Sequence, residues 1–293
     1  MTVIKSTEQV KSAIDRIGNS IGLVPTMGAL HDGHKSLIAR SKEENEKTAI
    51  SIFINPKQFN NTRDLLNYPK KLNQDLLIAK DLGVDIVWIP SIKEVYPSEY
   101  QTFVEVRSLS RPLEGVNRPG HFLGVSTIIT KLLCVFLPQK AYFGRKDFQQ
   151  FLVIKQLNKD LGFRTEIVAC PIIRDKNGLA LSSRNKLLSE NAKKEATAIF
   201  KGFHSTALAW KKGKRDRNSL LSPLKQIIKN TKLNLEYLSL ANPKTLEEIH
   251  SYDKISSILI SLAVSIENIR LIDNLLLPDD LYEHNFFIDK KGL

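Results

Sequence analysis

Between Ile21 and Cys170, short apolar runs alternate with segments of helical periodicity, and this alternation limits the fold more than any other feature. The runs Ile21–Pro25, Ala49–Ile54, Asp85–Ile89, Ala141–Phe143 and Thr165–Cys170 are rich in Val, Ile and Phe and almost unbroken in apolarity. Strands buried on both faces have that texture, because neither face meets water. Helical spacing fills the intervals at His34–Glu46, Leu72–Leu82, Thr127–Val135 and Phe148–Leu161. Strand–helix–strand repetition predicts right-handed crossovers and an α/β fold with a doubly wound parallel sheet. Such sheets gather ligands outside the carboxyl ends of their strands, so functional motifs are expected just after the runs.

The texture changes after residue 174, and we expect domains at 1–174 and 175–293. The second part reads as a helix over Leu187–Lys212, a helix over Leu220–Thr231, and strands at Asn234–Leu240, Ser257–Val264 and Ile269–Leu271. This is the pattern of a smaller α+β domain. The basic run Lys211–Arg217 (KKGKRDR) lies between the two helices and reads as a solvated turn, since no aromatics interleave its charges. The 43 Lys+Arg against 31 Asp+Glu leave a net charge of +12, which favours anionic partners without choosing among nucleic acid, membrane and phosphate-bearing substrates. Two cysteines, Cys134 and Cys170, sit in apolar runs and read as small hydrophobes. The first twenty residues read as an amphipathic helix with no signal-peptide core, and no apolar stretch reaches the ~18 residues of a membrane span. The expectation is a cytoplasmic protein with neither membrane nor nucleic acid as partner.

Three motifs follow strand ends. The first, Leu23–His34 (LVPTMGALHDGH), runs from a strand into a helix. Gly28 and Gly33 allow close backbone approach, and the helix start offers free N–H groups to an anion. His31 and His34, three apart, share the first helical turn and suit a phosphate that gains charge in a transition state. Zinc lacks a third ligand, because His121, His204, His250 and His284 are scattered. The second motif, Phe143–Gln150 (FGRKDFQQ), offers Gly144 for close approach, Lys146 for a phosphate, and Asp147 as a helix N-cap or ribose ligand. The third, Gly178–Asn185 (GLALSSRN), sets Ser182 and Ser183 before Arg184, which fits either a polyphosphate tail or a capping turn. Ser51–Phe59 (SIFINPKQF) closes the second strand with amide side chains, and Glu114–Phe122 is a polar loop bearing glycines. Nucleophile elbows, P-loops and activated cysteines are missing, which points away from covalent catalysis. Attack by a substrate carboxylate on an ATP α-phosphate needs no general base, only positioning and charge neutralisation, with Mg²⁺ on the phosphates.

These motifs, in this order, resemble the pantothenate synthetases, the pantoate–β-alanine ligases of pantothenate biosynthesis. The resemblance rests on VPTMGALHDGH, SIFINPKQF, LEGVNRPGHFLGVSTI, YFGRKDFQQ and GLALSSRN, with Arg270–Asn274 (RLIDN) as a looser match. It implies a Rossmann-like nucleotide domain, a smaller C-terminal lid and a homodimer. It also implies a two-step ligation of pantoate and β-alanine, through pantoyl adenylate, to pantothenate, AMP and pyrophosphate. Carried across, Met27, Gly28, Ala29, Leu30, His31, Asp32, Gly33 and His34 would cradle ATP. His34 would be a proton donor, and His31 would stabilise the reacting phosphate. Gly144, Arg145, Lys146 and Asp147 would hold the nucleotide, with Lys146 on phosphate. Leu181, Ser182, Ser183 and Arg184 would bind the polyphosphate, and Ile173 would touch the adenine side. Gln58 and Gln150 would hold pantoate, helped by Pro25, Thr26 and Met27. Gln74 precedes Asp75 where the family often has an acidic pair, which leaves Asp75 as the metal-side candidate. Glu267 stands where glycine is usual, and a tail of about twenty residues follows Asn274. A nucleotidylyltransferase acting on a phosphorylated small molecule is the competing enzyme reading; the neutral Gln58 and Gln150 suit a hydroxy acid better.

Overall fold

Six strands form one parallel sheet in the computed structural model, which describes residues 1–17, 20–250 and 256–282. The end of the expected tail, with His284, lies outside the described residues. By internal packing the chain divides into two units, Met1–Pro171 and Ile172–Leu293. In the first unit the elements run β1 (Thr2–Ile4), α1 (Thr7–Ile17), β2 (Ile21–Thr26), α2 (Asp32–Glu44), β3 (Lys47–Ile52), α3 (Thr62–Asn67), α4 (Leu72–Asp81) and β4 (Ile86–Trp88). There follow α5 (Ile92–Val95), α6 (Glu114–Asn117), α7 (His121–Phe136), β5 (Lys140–Gly144), α8 (Phe148–Asp160) and β6 (Glu166–Cys170). The sheet order is β1-β4-β3-β2-β5-β6, with every neighbouring pair parallel. This is the doubly wound parallel sheet the alternation predicted and the Rossmann-like domain the resemblance implied.

Alternation along the strands builds two separate cores. Leu23, Ala49, Ile86, Trp88, Ala141 and Phe143 pack with α1, α7 and α8. Val24, Ile50, Val87, Tyr142 and Val168 turn the other way, toward α2 and α4. Both faces are covered, which is why the strands read as continuous apolar runs.

The chain leaves β2 for β3 on one side and later returns to β5 on the other, so a crevice opens between their carboxyl ends. Pro25 helps to open it. The Ser20 and Thr26 carbonyls accept from Lys47 and Phe53 on the β3 side, whereas the Ile21 carbonyl accepts from Gln139 on the β5 side. By that alternation Pro25, which has no N–H, faces β5. The β2–β5 ladder ends at Leu23↔Ala141, two residues earlier.

In the second unit α9 (Glu190–Lys211) and α10 (Arg217–Lys229) pack on an antiparallel sheet of β7 (Asn234–Ala241), β8 (Ile258–Ile266) and β9 (Ile269–Leu277). The helices cross closely at Gly202, where a Cβ would lie 2.1 Å from Leu224 Cδ1. The β8–β9 hairpin turns through Glu267 and Asn268, both at positive φ (52° and 62°). Glu267 takes a conformation that suits glycine, but its carboxylate accepts from Ser189 N at 3.0 Å and from Ser189 Oγ at 2.6 Å. Ser189 is the N-cap of α9, so the hairpin tip holds the helix start. In the basic run, Arg215 stacks 3.8 Å from the Trp210 ring centroid and Arg217 pairs with Glu248 at 2.7 Å.

Some elements depart from expectation. The N-terminal segment begins with the three-residue β1, too short to show a period, before its helix. Helix α7 starts at His121 rather than Thr127, and β9 runs to Leu277 rather than Leu271, because Arg270, Asp273 and Asn274 interrupt its apolar signal. Cys134, expected among hydrophobes, is exposed on α7, while Cys170 is buried. Among the described residues no helix is long and apolar enough to cross a membrane.

One contact fixes how α7 meets the segment after β3. A Cβ at Gly124 would lie 2.3 Å from the Lys57 carbonyl oxygen and 2.5 Å from Gln58 N. These are backbone atoms, so relief requires the whole turn to move. We expect Gly124→Ala to destabilise the protein by roughly 1–3 kcal/mol, as overpacked sites do. Urea unfolding checks this, and an unchanged midpoint would contradict the close approach.

Candidate active site

The loop after β2 is shaped by a carboxylate from another helix. Asp75, 2% exposed in the first turn of α4, accepts from Ala29 N through Oδ2 and from Leu30 N through Oδ1, both at 2.8 Å. Gly28 has φ +82°, and a Cβ there would sit 2.9 Å from Asp75 Oδ2. Ala29 is held at φ +52°, a region alanine seldom occupies without such anchoring. Thr26 Oγ1 adds a tie, donating to Ser51 O at 2.7 Å and accepting from Gly28 N at 3.2 Å. Asp75, expected on the metal side, thus uses each oxygen to hold the loop. Among the described residues no group of three or more His, Cys, Asp or Glu side chains could hold a metal. The donor set does not fit a resident cation.

This loop delivers two histidines to the start of α2 as a reciprocal cap. His31 Nδ1 accepts from Gly33 N at 3.2 Å, and His34 Nδ1 accepts from His31 N at 3.3 Å. The ring centroids are 4.1 Å apart, tilted by 42°. With Nδ1 accepting, a neutral ring carries its proton on Nε2. Burial, reinforced by His31 and then Lys146 against the opposing pull of Asp147, lowers the His34 pKa to about 3. Burial thus favours the neutral His34 ring, whose Nε2–H is placed to donate a hydrogen bond.

The loop after β5 faces it. Gly144 has open space where a Cβ would stand, and a 3-10 turn over Arg145–Asp147 leads into α8. Asp147 occupies the N-cap position of α8 but makes no capping bond. Its carboxylate instead meets Lys146 Nζ at 3.4 Å. Burial opposes ionisation of Asp147, yet Lys146, with Arg118 and His121, outweighs it and holds the carboxyl below its ordinary range.

Two adjacent glutamines in the first turn of α8 differ in kind. Buried Gln149 accepts from Glu114 N at 3.0 Å and donates to Leu109 O (2.9 Å) and Pro112 O (2.7 Å), fastening the loop before α6. Half-buried Gln150 has no hydrogen-bond partner for its amide among the described residues. That leaves it available to a ligand.

Gln58 is oriented from several sides. Its Oε1 accepts from Asn55 Nδ2 (3.0 Å), and its Nε2 lies 3.2 Å from Met27 Sδ. Its carbonyl accepts from His121 Nδ1 at 2.8 Å. Asn55, 1% exposed, is itself fixed by Gly124 O (3.0 Å) and Tyr96 OH (2.8 Å). Burial, then Arg118, lowers the His121 pKa to about 4, and Arg118 Nη1 lies 3.3 Å from His121 Nε2. Asn55, Tyr96, Arg118 and His121 are thus supports that sequence reasoning missed. The RPGH stretch was visible, but nothing in one sequence shows that its histidine reaches the backbone of residue 58.

In the second unit Leu181 N donates to Ile173 O at 2.9 Å. Ser182 Oγ accepts from Arg184 N at 3.3 Å, which opens a 3-10 turn, and Ser183 is buried. The capping-turn reading of this motif is therefore realised locally.

A family model described as pantoate-beta-alanine ligase matches residues 2–276. The pantothenate synthetase of Thermosipho africanus is 41% identical over 94% of this chain and all of its own length. That of Acetivibrio thermocellus is 43% identical over 94% of this chain and 99% of its own. Among solved structures, pantothenate synthetase from Thermus thermophilus superposes with a TM-score of 0.89 at 35% identity, covering 94% of this chain and 99% of that one. Pantoate-beta-alanine ligase from Francisella tularensis, complexed with beta-gamma ATP and beta-alanine, gives 0.77 at 38% identity, covering 94% and 97%.

The depressed His34 pKa can be measured directly. In nucleotide-free protein, imidazole NMR should show His34 neutral with Nε2–H from pH 8 to below pH 5; titration near 6.5 would overturn the assignment. The unfolded chain takes up a proton near pH 6.5 and the folded one only near 3, so His34's contribution is full above 6.5 and lost as pH falls toward 3. His34→Gln should remove that part of the acid sensitivity.

Proposed function

The chain belongs to the pantoate–β-alanine ligase family and catalyses ATP-dependent ligation of pantoate to β-alanine; we propose that it does so through an enzyme-held pantoyl adenylate formed at the crevice between β2 and β5. The observation that carries this reading is the convergence of His31, His34 and Lys146 beside the sheet's switch point, with Gln150 in the first turn of the helix that follows Lys146. A pantoate carboxylate oxygen would attack the ATP α-phosphorus. The new P–O bond replaces the bond to the bridging oxygen, and pyrophosphate leaves. The β-alanine amine would then attack the acyl carbon, forming the amide, expelling AMP and releasing a proton.

Each residue's task follows from its surroundings. The α2 N-terminus within Met27–His34 would cradle the phosphates, with the Nε2–H groups of His31 and His34 donating to oxygens that gain charge. Lys146 would supply the positive charge, and Gly144 would let the nucleotide approach the backbone. Gln58 and Gln150 would hold the pantoate hydroxyl and carboxylate, with Pro25, Thr26 and Met27 as the wall. Ser182, Ser183 and Arg184 would bind polyphosphate oxygens, with Ile173 toward adenine. Magnesium would arrive on the nucleotide as MgATP. A cytoplasmic homodimer is the setting we infer for this activity.

Product analysis tests the intermediate. Pantoate, β-alanine and MgATP should yield pantothenate with AMP and pyrophosphate. Without β-alanine, labelled pyrophosphate should exchange into ATP only when pantoate is present. Release of ADP would replace adenylate with acyl phosphate. Lys146→Ala should lower adenylate formation by about 100-fold or more with little change in unfolding midpoint; wild-type turnover would remove it from the chemistry. Gln150→Ala should raise KM for pantoate far more than for ATP, and equal changes would mean it is misassigned.

A further inference from the structure

The RLIDN run, Arg270–Asn274, has no task in the mechanism above, yet it supplies a deeply buried carboxylate. Asp273 on β9 and Arg174 have side chains only 3% and 6% exposed. They meet through two parallel bonds, Nη1 to Oδ2 at 2.6 Å and Nη2 to Oδ1 at 3.0 Å. Arg174 does more than neutralise Asp273. Its Nη1 also donates to Gly178 O at 3.1 Å, and its guanidinium lies 5.1 Å from the Phe200 ring centroid on α9.

Arg174 stands on the first arm of a small hairpin. It bridges antiparallel to Ala180, and Asp175 N donates to Leu179 O at 2.9 Å. The tip is tight: Asp175 Oδ1 accepts from Asn177 N (2.8 Å) and Leu179 N (3.0 Å). Gly178 has φ +89°, and a Cβ there would lie 2.3 Å from Phe200. The second arm continues without a break into Leu181, Ser182, Ser183 and Arg184. The guanidinium therefore joins the hairpin tip, the sheet and α9 at one point, immediately before the serine pair.

A buried ion pair seldom adds net stability over an apolar filling of equal volume. A forked pair does fix the distance and orientation of the segments it joins. We propose that Arg174 and Asp273 are positioning residues for nucleotide binding: their pairing sets the hairpin that presents Ser182, Ser183 and Arg184 to the ATP phosphates. The inference rests on the reading of that serine pair as a phosphate site.

The test is initial-rate kinetics of pantothenate formation, varying ATP and pantoate separately, alongside unfolding midpoints. Asp273→Asn keeps the shape and removes the charge. KM for ATP should rise roughly ten-fold, the scale of a misplaced binding group, while KM for pantoate stays within about two-fold. In a Ser182→Ala/Ser183→Ala background the same change should add clearly less than that roughly ten-fold, since two of the three groups being positioned are gone and only Arg184 is left. A purely structural role would lower the amount of active enzyme and leave both KM values alone. If Asp273→Asn does not fold, Arg174→Lys is measured instead; it keeps a buried cation but cannot reach both Asp273 oxygens and Gly178 O together. An ATP KM that stays put, or moves in step with that for pantoate, overturns the inference. An unchanged ATP KM in the serine variant overturns the phosphate reading, and the inference with it. A serine variant that responds while Asp273→Asn does not removes the inference alone.

Discussion

The Asp75 carboxylate, buried and shared between the amides of Ala29 and Leu30, is the constraint from which the active crevice is built. A loop carrying positive φ at Gly28 and Ala29 would not hold that form alone. Held there, it starts α2 at the point where His31 and His34 cap each other. Met27, at its beginning, lies against the Gln58 amide. A carboxylate beside a nucleotide site invites a metal-binding role. Here its oxygens serve the backbone amides, and the proposed handling of substrate charge falls to Lys146 and the two imidazole donors.

The electrostatic design avoids crowding like charges. His31 and Lys146 both act on His34, and Arg118 acts on His121, so protonating either buried ring would set like charges side by side. Burial and mutual repulsion keep His34 neutral, and burial with Arg118 does the same for His121. Asp147 stays ionised beside Lys146. The resting crevice therefore holds two neutral, oriented imidazoles, His34 and His121, beside Arg118 and the Lys146–Asp147 pair, which suits a ligand that brings its own negative charge.

The parallel sheet was readable because burial on both faces leaves continuous apolar runs, and the crossovers between them permit little else. The loops bearing His31, His34 and Lys146 were readable because strand-to-helix junctions place glycine and basic residues at known positions. What escaped has a common cause: it depends on which polar group a side chain meets far along the chain. Asp147 looked like a cap and pairs with Lys146. Gln149 and Gln150 look alike in sequence, but one is spent on three backbone groups and the other is not. Asp75 and His121 act through residues 46 and 63 positions away. Glu267 looked unsuited to a hairpin turn because its compensation, Ser189, lies 78 residues earlier.

The paired histidine cap has a consequence for how such sites can diverge. Each ring has one nitrogen inside the helix start and one outside it, so the spacing of three obeys helix geometry and ligand geometry at once. An insertion between them would unravel the first turn of α2 in the same step that moved a ring out of the proposed nucleotide site. Asn or Ser at position 31 could keep the turn while discarding the imidazole. The spacing is thus less free to change than the residues that occupy it, because the helix start depends on the interval while the cap itself can be made by other side chains.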